Sequence, residues 1–302
     1  MVVPLYNHVR YIECCLDSIR NCGYRPLEVL VLDDGSTDNS FEVAQAWAGR
    51  CVEQGMKFHV ARQTNQGLPK TLNRLVARAA GQFILIIASD DYLLPGGVDL
   101  RVGALLAHPS WLAVFADAIV VDEAGRKIHE SALRDLLRSD KRALANPRTI
   151  AMELILRWGV PGGTLLVRRS AYDPVVGVGP YDESLPFEDR DFHLKALARR
   201  GVGFIDSTVS AYRLHGENFS RLKDPQALGP FYYGLYRCEI TNARRHRGMA
   251  RLALWLSAQR ALDAARRCRG DRGLSPVLRI VLGKALSLLY WVHRLWGWIR
   301  RG

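Results

Sequence analysis

The chain has 302 residues, of which 48% are apolar and 24% charged, and its formal net charge is +12. This balance is typical of an ordered globular protein and excludes a disordered chain. None of its six cysteines forms a Cys-x-x-Cys pair or a Cys/His cluster of zinc spacing, so we expect inert thiols in a reducing compartment.

Strands alternate with helices in the first hundred residues. Apolar runs predict strands at 1–4, 27–32, 57–61 and 83–87, and helical spacing predicts helices at 10–21, 37–52 and 68–80. This order predicts a mostly parallel central sheet flanked by helices. Because ligands bind beyond the carboxyl ends of parallel strands, we expect the pairs Asp33-Asp34 and Asp90-Asp91 at the same edge.

The middle of the chain mixes both kinds of element. Apolar runs predict strands at 111–121, 163–167, 204–206 and 209–213, and a helix at 185–200 begins in the acidic sequence EDRD. The N-terminus carries polar and acidic groups and lacks the pattern of a signal peptide, so we expect the protein to be made and retained in the cytoplasm.

The basic residues concentrate in the last quarter of the chain. Residues 1–224 hold 27 Lys and Arg and 27 Asp and Glu, so the remaining 15 basic and 3 acidic residues place the whole excess in residues 225–302. The composition changes at Asp224-Pro225, which predicts a domain boundary. Anionic lipid and nucleic acid are the two candidate partners of such a basic part.

The segment 274–301 is an apolar helix with scattered charges. It carries Arg279, Lys284 and Arg294 and three tryptophans, whereas a membrane span needs roughly 20 nearly uncharged residues. The apolar surface and the tryptophans suit lipid better than nucleic acid, so we expect an in-plane helix at an anionic membrane. A helix packed on the catalytic domain or on a dimer partner is the alternative.

Several motifs occur in a fixed order: VVPLYNHVRY, LEVLVLDDGSTDNS, FILIIASDDYLLPGG, PFEDRDFHLKAL and YRLHGENFS. Over roughly residues 1–220 the chain closely resembles the inverting glycosyltransferases of family two, which have the GT-A fold. The resemblance implies a nucleotide-sugar-binding half at 1–100 and an acceptor-binding half at 101–224. The charge and the helical pattern of the remaining residues predict a basic helical extension at 225–302.

The implied reaction moves a sugar from a nucleotide-diphosphate donor, UDP- or dTDP-linked, to a hydroxyl of a glycan or lipid-linked acceptor. The pathway would be synthesis of cell-surface polysaccharide or glycolipid, at the inner face of the cell membrane. A divalent cation, Mn²⁺ or Mg²⁺, would stabilise the charge of the departing diphosphate, and such cations prefer carboxylate oxygens.

The acidic pair after the fourth strand is the candidate metal site. The family motif is Asp-x-Asp, and its first position is Ala88 here, so Asp90 is the expected direct ligand and Asp91 the second. By resemblance, His215 completes the site, and a neutral imidazole is a competent ligand for manganese-like ions. An N-capped turn would need only one of these two carboxylates.

Four residues match the donor-binding segments of the family. Asp34 is expected to accept a hydrogen bond from the base, and Pro4 and Tyr6 to lie against that base. Lys70 is placed to approach a phosphate, or else it is a solvated lysine on a helix face.

The EDRD cluster supplies the candidate catalytic base. An inverting transfer needs one base to take the proton of the acceptor hydroxyl. Asp189 matches the family's Glu-Asp motif and is the first choice, followed by Asp191 and then Glu188. An acidic helix N-terminus favoured by the helix dipole explains the same residues without catalysis.

Two rival functions remain to be weighed. A sugar-1-phosphate nucleotidyltransferase would want a glycine-rich basic loop near the N-terminus, and the sequence offers none. The alternative from another class is a catalytically silent glycan- or membrane-binding protein that keeps the GT-A fold, which Ala88 favours. The presence together of Asp34, Asp90, Asp189 and His215 favours the enzyme.

Overall fold

The computed structural model describes residues 1–50, 56–216, 218 and 225–299, with backbone only for 225 and 294–299. Residues 300 and 301 of the predicted membrane segment, and 217 and 219–224 of the late-histidine region, lie outside the described residues. The chain folds into two compact units that alternate along the sequence. The first comprises Met1–Arg138, Val160–Tyr181 and Gly201–His215, and the second comprises Ser139–Gly159, Asp182–Arg200 and Gly216–Gly302.

A three-stranded parallel sheet opens the first unit. Its strands are β1 (Val2–Leu5), β2 (Glu28–Asp33) and β3 (Lys57–Arg62), in that spatial order. The connecting helices are α1 (Ile12–Arg20) and α2 (Ser40–Trp47), and α3 (Leu68–Arg78) follows β3. The predicted strands and helices of this region are present, although α2 ends earlier than expected.

A second, mixed sheet forms the rest of the first unit. Its strands are β4 (Phe83–Leu85), β5 (Tyr92–Leu93), β6 (Ala113–Val121), β7 (Lys127–His129), β8 (Leu166–Arg168) and β9 (Val202–Arg213), and the unpredicted α4 (Gly97–Ala107) lies between β5 and β6. Strands β6 and β9 pair in parallel, whereas β4–β8, β5–β9, β6–β7 and β6–β8 are antiparallel. Parallel pairing therefore covers the first three strands and the pair β6–β9, and the remaining pairs of the second sheet are antiparallel.

Two details of the second sheet differ from the predicted elements for local reasons. The two strands expected at 204–206 and 209–213 form the single strand β9, which pairs with β6 across a register shift. A tight turn joins β6 to β7, because the Asp122 carboxylate accepts hydrogen bonds from the backbone N–H of Ala124 and Arg126. Adjacent strands joined by so short a turn must run antiparallel.

The core of the first unit lies between the parallel sheet and its helices. Alternate residues of β1 and β2 and one face of α1 are almost fully buried there, in agreement with the helical spacing of the sequence. The residues that follow β1 and β2, and the pair Asp90-Asp91, lie in loops beyond the strand ends.

The second unit is helical in its described part. Its helices are α5 (Lys141–Leu144), α6 (Ile150–Leu156), α7 (Asp189–Ala198), α8 (Pro225–Ala243), α9 (Gly248–Cys268) and α10 (Pro276–Ile299). The helical extension predicted after residue 224 is confirmed, and its helices share an apolar core with α6 and α7. Within the described residues, no helix is long and apolar enough to span a bilayer.

Candidate functional site

The loop after β1 is held in place by the loop after β2. The backbone N–H of Asn7 donates to Ser36 Oγ at 2.9 Å, and that of His8 donates to Ser40 Oγ at 2.8 Å. Asn7 has a left-handed backbone with φ of 52°, and its side-chain oxygen accepts the Thr37 N–H at 2.8 Å. These contacts fix the position from which the His8 side chain leaves the backbone.

Three residues from distant parts of the sequence meet at this edge. The side chains of His8, Asp90 and His215 place one ligand atom each within 4.8 Å of one another. His215 Nε2 lies 2.9 Å from Asp90 Oδ2, and the two imidazole rings are edge to face with centroids 5.7 Å apart. The cluster therefore contains the predicted pair Asp90 and His215 and a histidine that was not predicted.

The cluster is electrostatically suited to a cation. Asp90 is buried, which opposes ionisation, but the hydrogen bond to His215 and the charge of His8 outweigh burial and hold the pKa of Asp90 below its usual range. An ionised carboxylate oxygen and imidazole nitrogens are a donor set that manganese-like ions accept. The residues present therefore fit the divalent cation that the family resemblance implies.

Asp91 is not part of this cluster. Its Oδ1 accepts the backbone N–H of Arg213 at 2.9 Å, and its buried Oδ2 has no hydrogen-bond partner. A Cβ atom on Gly162 would lie 2.5 Å from that Oδ2, so only glycine leaves room there. Burial and the neighbouring charge of Asp90 raise the pKa of Asp91 well above its usual range. Asp91 therefore lies outside the cluster, with its side chain buried in the protein, and its role as second metal ligand remains a prediction.

Asp34 organises the loop between β3 and α3. Its Oδ1 accepts the Gln63 side-chain amide at 2.8 Å and the Gln66 backbone N–H at 2.7 Å. Its Oδ2 accepts the Gly67 N–H at 2.9 Å, where φ is 85°. The carboxylate is buried among these donors, so it shapes the edge of the parallel sheet, and its contact with a base remains a prediction.

The other predicted donor-binding residues lie in the same unit. Pro4 is half-buried on β1, and Tyr6, which follows the strand, has 46% of its surface exposed. Lys70 is half-buried in the first turn of α3. Tyr6 therefore offers an accessible aromatic face, and the roles of all three residues remain predictions.

The predicted catalytic residues lie in the second unit, at the start of α7. Asp189 is half-buried, and its Oδ2 accepts the indole N–H of Trp158 at 3.1 Å. Asp191 is buried and accepts hydrogen bonds from Asn242 at 2.7 Å and from Lys195 at 2.6 Å. Asp189 is therefore the more available carboxylate, and Asp191 joins α7 to α8.

The residues on either side of Asp189 complete its surroundings. Burial and the charge of Asp189 raise the pKa of Glu188 from 4.5 to about 8, so Glu188 is neutral at pH 7. Arg190 is buried and forms an ion pair with Glu239 on α8 at 2.6 Å. It also donates to the backbone carbonyls of Leu154 and Ile155 at 2.9 Å each. The start of α7 is thereby anchored to α6 and α8.

Sequence reasoning missed His8, Trp158 and Glu239. His8 lies three residues after β1, at the carboxyl edge where the acidic pairs were expected, and this position was its only signal. Trp158 and Glu239 are 31 and 50 residues from Asp189 in the sequence, and no motif connects them.

Residues 1–175, more than half of the chain, match the profile described as Glycosyl transferase family 2. The chain is also 34% identical over 113 residues to a chondroitin synthase of Pasteurella multocida (strain Pm70), a match that covers 37% of this chain and 11% of that protein. In eight curated relatives, the matched segment spans between 11% and 35% of the relative's length.

Two solved structures have a similar fold. The first is S. aureus TarS 1–349 in complex with UDP-GlcNAc, with a TM-score of 0.61, 20% identity, and coverage of 89% of this chain and 71% of that chain. The second is mannosyltransferase PcManGT from Pyrobaculum calidifontis in complex with GDP-Man and Mn²⁺, with a TM-score of 0.61, 20% identity, and coverage of 98% and 81%. At this identity the likeness shows the fold, and the predicted α/β GT-A fold with a helical extension is confirmed.

Proposed function

The chain belongs to glycosyl transferase family 2, and we propose that it transfers a sugar from a nucleotide-diphosphate donor to an acceptor hydroxyl with inversion. The observation that carries the proposal is the meeting of His8, Asp90 and His215 at the carboxyl edge of the first unit. The complexes of TarS with UDP-GlcNAc and of PcManGT with GDP-Man and Mn²⁺ support a nucleotide-sugar donor.

In the proposed mechanism, His8, Asp90 and His215 would hold a divalent cation, Mn²⁺ or Mg²⁺. The positive charge of that cation would stabilise the diphosphate leaving group. Before a cation binds, burial opposes ionisation of Asp90, and the hydrogen bond to His215 keeps the pKa of Asp90 low, so that its carboxylate is available as a ligand. Asp34 keeps the neighbouring loop ordered for the donor, and Tyr6 offers its face to the base.

The proton of the acceptor hydroxyl goes to Asp189 in this proposal. The oxygen of that hydroxyl forms the new bond to the anomeric carbon, and the bond between that carbon and the diphosphate breaks on the opposite side. Glu188, whose pKa is raised to about 8, keeps its own proton at neutral pH, which leaves Asp189 as the proposed acceptor. The hydrogen bond from Trp158 orients the accepting carboxylate.

The donor is proposed to be a UDP- or dTDP-sugar and the acceptor a glycan or a lipid-linked glycan. The relationship to a chondroitin synthase favours polysaccharide synthesis over modification of small molecules. Because the chain spans only part of its curated relatives, the pathway is a proposal about this chain and does not carry over from theirs.

We also propose that α10 contacts an anionic membrane surface. One face of the helix packs inward, with Leu282 and His293 buried. The opposite face exposes several large apolar side chains: Val277 at 71%, Ile280 at 57%, Val281 at 52%, Leu288 at 63% and Trp291 at 61%. Such a face beside a strongly basic segment is typical of a helix lying in the membrane interface.

The proposed activity is tested by titrating the protein with UDP in a calorimeter, with and without Mn²⁺, and then screening nucleotide sugars for transfer. We expect UDP binding that Mn²⁺ strengthens. Absence of binding under both conditions would leave the silent, membrane-binding alternative.

A further inference from the structure

A groove of 410 Å³ lies in the second unit between α6, α9 and α10. Its lining combines apolar, hydroxyl and cationic side chains and contains no carboxylate. The lining residues are Ile155, Leu156, Arg157, Ser257, Arg260, Leu286, Ser287, Tyr290 and Trp291.

The two arginines of the groove are not neutralised by the protein. Neither Arg157 nor Arg260 forms an ion pair with a carboxylate in the part of the chain that the structure describes. The Arg157 guanidinium lies 4.4 Å from the centre of the Tyr290 ring, which holds it at the groove. A guanidinium fork that is fixed and lacks an anion is well suited to bind phosphate oxygens.

The acidic residues of the C-terminal helices are engaged elsewhere. Glu239 is buried against Arg190, and Asp263 pairs with Arg267 on the same helix. Only 3 acidic residues accompany 15 basic ones in residues 225–302. The field around the groove is therefore positive, and an anion is the ligand that this charge complements.

The groove also adjoins the exposed apolar face of α10. Trp291 lines the groove and exposes 61% of its surface. Leu288, one turn before it, is 63% exposed on the same face. A ligand that fits both features has a phosphate beside a hydrocarbon region, which describes a membrane lipid. A nucleic acid would leave the apolar face uncovered.

We propose that this groove binds the phosphate group of an anionic membrane lipid while the exposed face of α10 enters the apolar layer. The proposal rests on the membrane contact proposed above and adds to it a specific binding site for the lipid headgroup. The general attraction of a basic protein to an anionic surface depends only on charge. A binding site built from Arg157 and Arg260 would in addition distinguish phosphate from other anions.

The test measures binding of the full chain to phosphatidylcholine vesicles that carry either phosphatidic acid or oleic acid at equal surface charge. The groove variant is Arg157→Gln with Arg260→Gln. The matched control is Arg251→Gln with Arg266→Gln, which removes the same charge from exposed positions of α9 outside the groove. Equal melting temperatures of the two variants establish that both are folded.

We expect wild-type protein to bind phosphatidic-acid vesicles about tenfold more tightly than oleic-acid vesicles. The groove variant is expected to lose this preference. The control is expected to bind both vesicles somewhat more weakly and to keep the preference. Equal binding of wild type to both vesicles would overturn the phosphate-binding site. Equal losses of phosphatidic-acid binding in the groove variant and the control would do the same, and either result would leave the proposed membrane contact unaffected. The membrane contact has its own variant, Val281→Glu with Leu288→Glu, which is expected to bind neither vesicle. Wild type that binds neither vesicle would overturn the contact and the phosphate-binding site together.

Discussion

The indole N–H of Trp158 donates a hydrogen bond to the carboxylate of Asp189 across 3.1 Å. The ring of Trp158 is itself held by aromatic neighbours, with Phe187 at 5.3 Å and Phe231 at 6.3 Å between centroids. The guanidinium of Arg190 lies 5.2 Å from the ring centre on its face. The orientation of the proposed base therefore depends on an aromatic cluster in the second unit.

Trp158→Phe tests this dependence, because phenylalanine keeps most of the packing and removes the N–H donor. The hydrogen bond orients the carboxylate, so its loss leaves Asp189 less precisely placed to accept the proton. We expect kcat to fall about tenfold. The KM for the donor is expected to stay unchanged.

Trp255→Phe is the control for this variant, because Trp255 lies on α9 with 46% of its surface exposed. Its kcat is expected to match that of the wild type. An unchanged kcat in Trp158→Phe would remove Trp158 from the positioning of the base.

Asp189 and Asp191 are expected to respond differently to the same substitution. Asp189→Asn removes the proposed proton acceptor, which lowers kcat about 100- to 10,000-fold with little change in melting temperature. Asp191→Asn weakens the contacts with Asn242 and Lys195 and is expected to lower the melting temperature first. Transfer rates and thermal unfolding of both variants check this, and near-normal turnover of Asp189→Asn would exclude it as the base.

Glu188 is expected to make the stability of the protein fall with rising pH. Its folded pKa, about 8, lies above its ordinary value of 4.5, so the folded state keeps a proton that the unfolded state releases. The contribution of neutral Glu188 is complete below pH 4.5 and is lost as pH rises through 8. Glu188→Gln keeps a neutral side chain, so its melting temperature should fall less than that of the wild type between pH 5 and pH 9. Parallel melting curves for the two proteins would contradict the raised pKa.

The sequence predicted those parts of the site that depend on local sequence patterns, such as the apolar runs that form strands. The runs before Asp34 and Asp90 identify buried strands, and a parallel bridge between Val2 and Ile86 brings the ends of these strands to one edge. The environment of Asp91 was not predictable, because its hydrogen bond comes from Arg213 and the space beside its Oδ2 is left by Gly162, which are 122 and 71 residues away. The second sheet escaped prediction for the same reason, since pairing such as β6–β9 is long-range and leaves no periodic signal in either strand.

The orientation of α10 was likewise not predictable from the sequence of that helix alone. The composition of 274–301 predicted an in-plane helix at a membrane, but it did not indicate that Tyr290 packs against Arg157 at the end of α6. Which face turns outward depends on the helices that cover the other one, and these are remote in the sequence.

Asp90 and Asp91 are neighbours in the sequence, and we expect their substitution to have different effects on cation and UDP binding. Asp90→Asn, His215→Ala and His8→Ala each remove one side chain of the cluster, so each is expected to weaken Mn²⁺-dependent UDP binding about tenfold or more. Asp91→Asn replaces the carboxyl group by an amide of the same shape, and the backbone N–H of Arg213 keeps its acceptor. We therefore expect Asp91→Asn to bind Mn²⁺ and UDP within about twofold of the wild type. Calorimetry of the four variants at one pH measures this difference directly. A loss in Asp91→Asn as large as that in Asp90→Asn would identify Asp91 as a ligand and require its side chain to turn towards His215 when the cation binds.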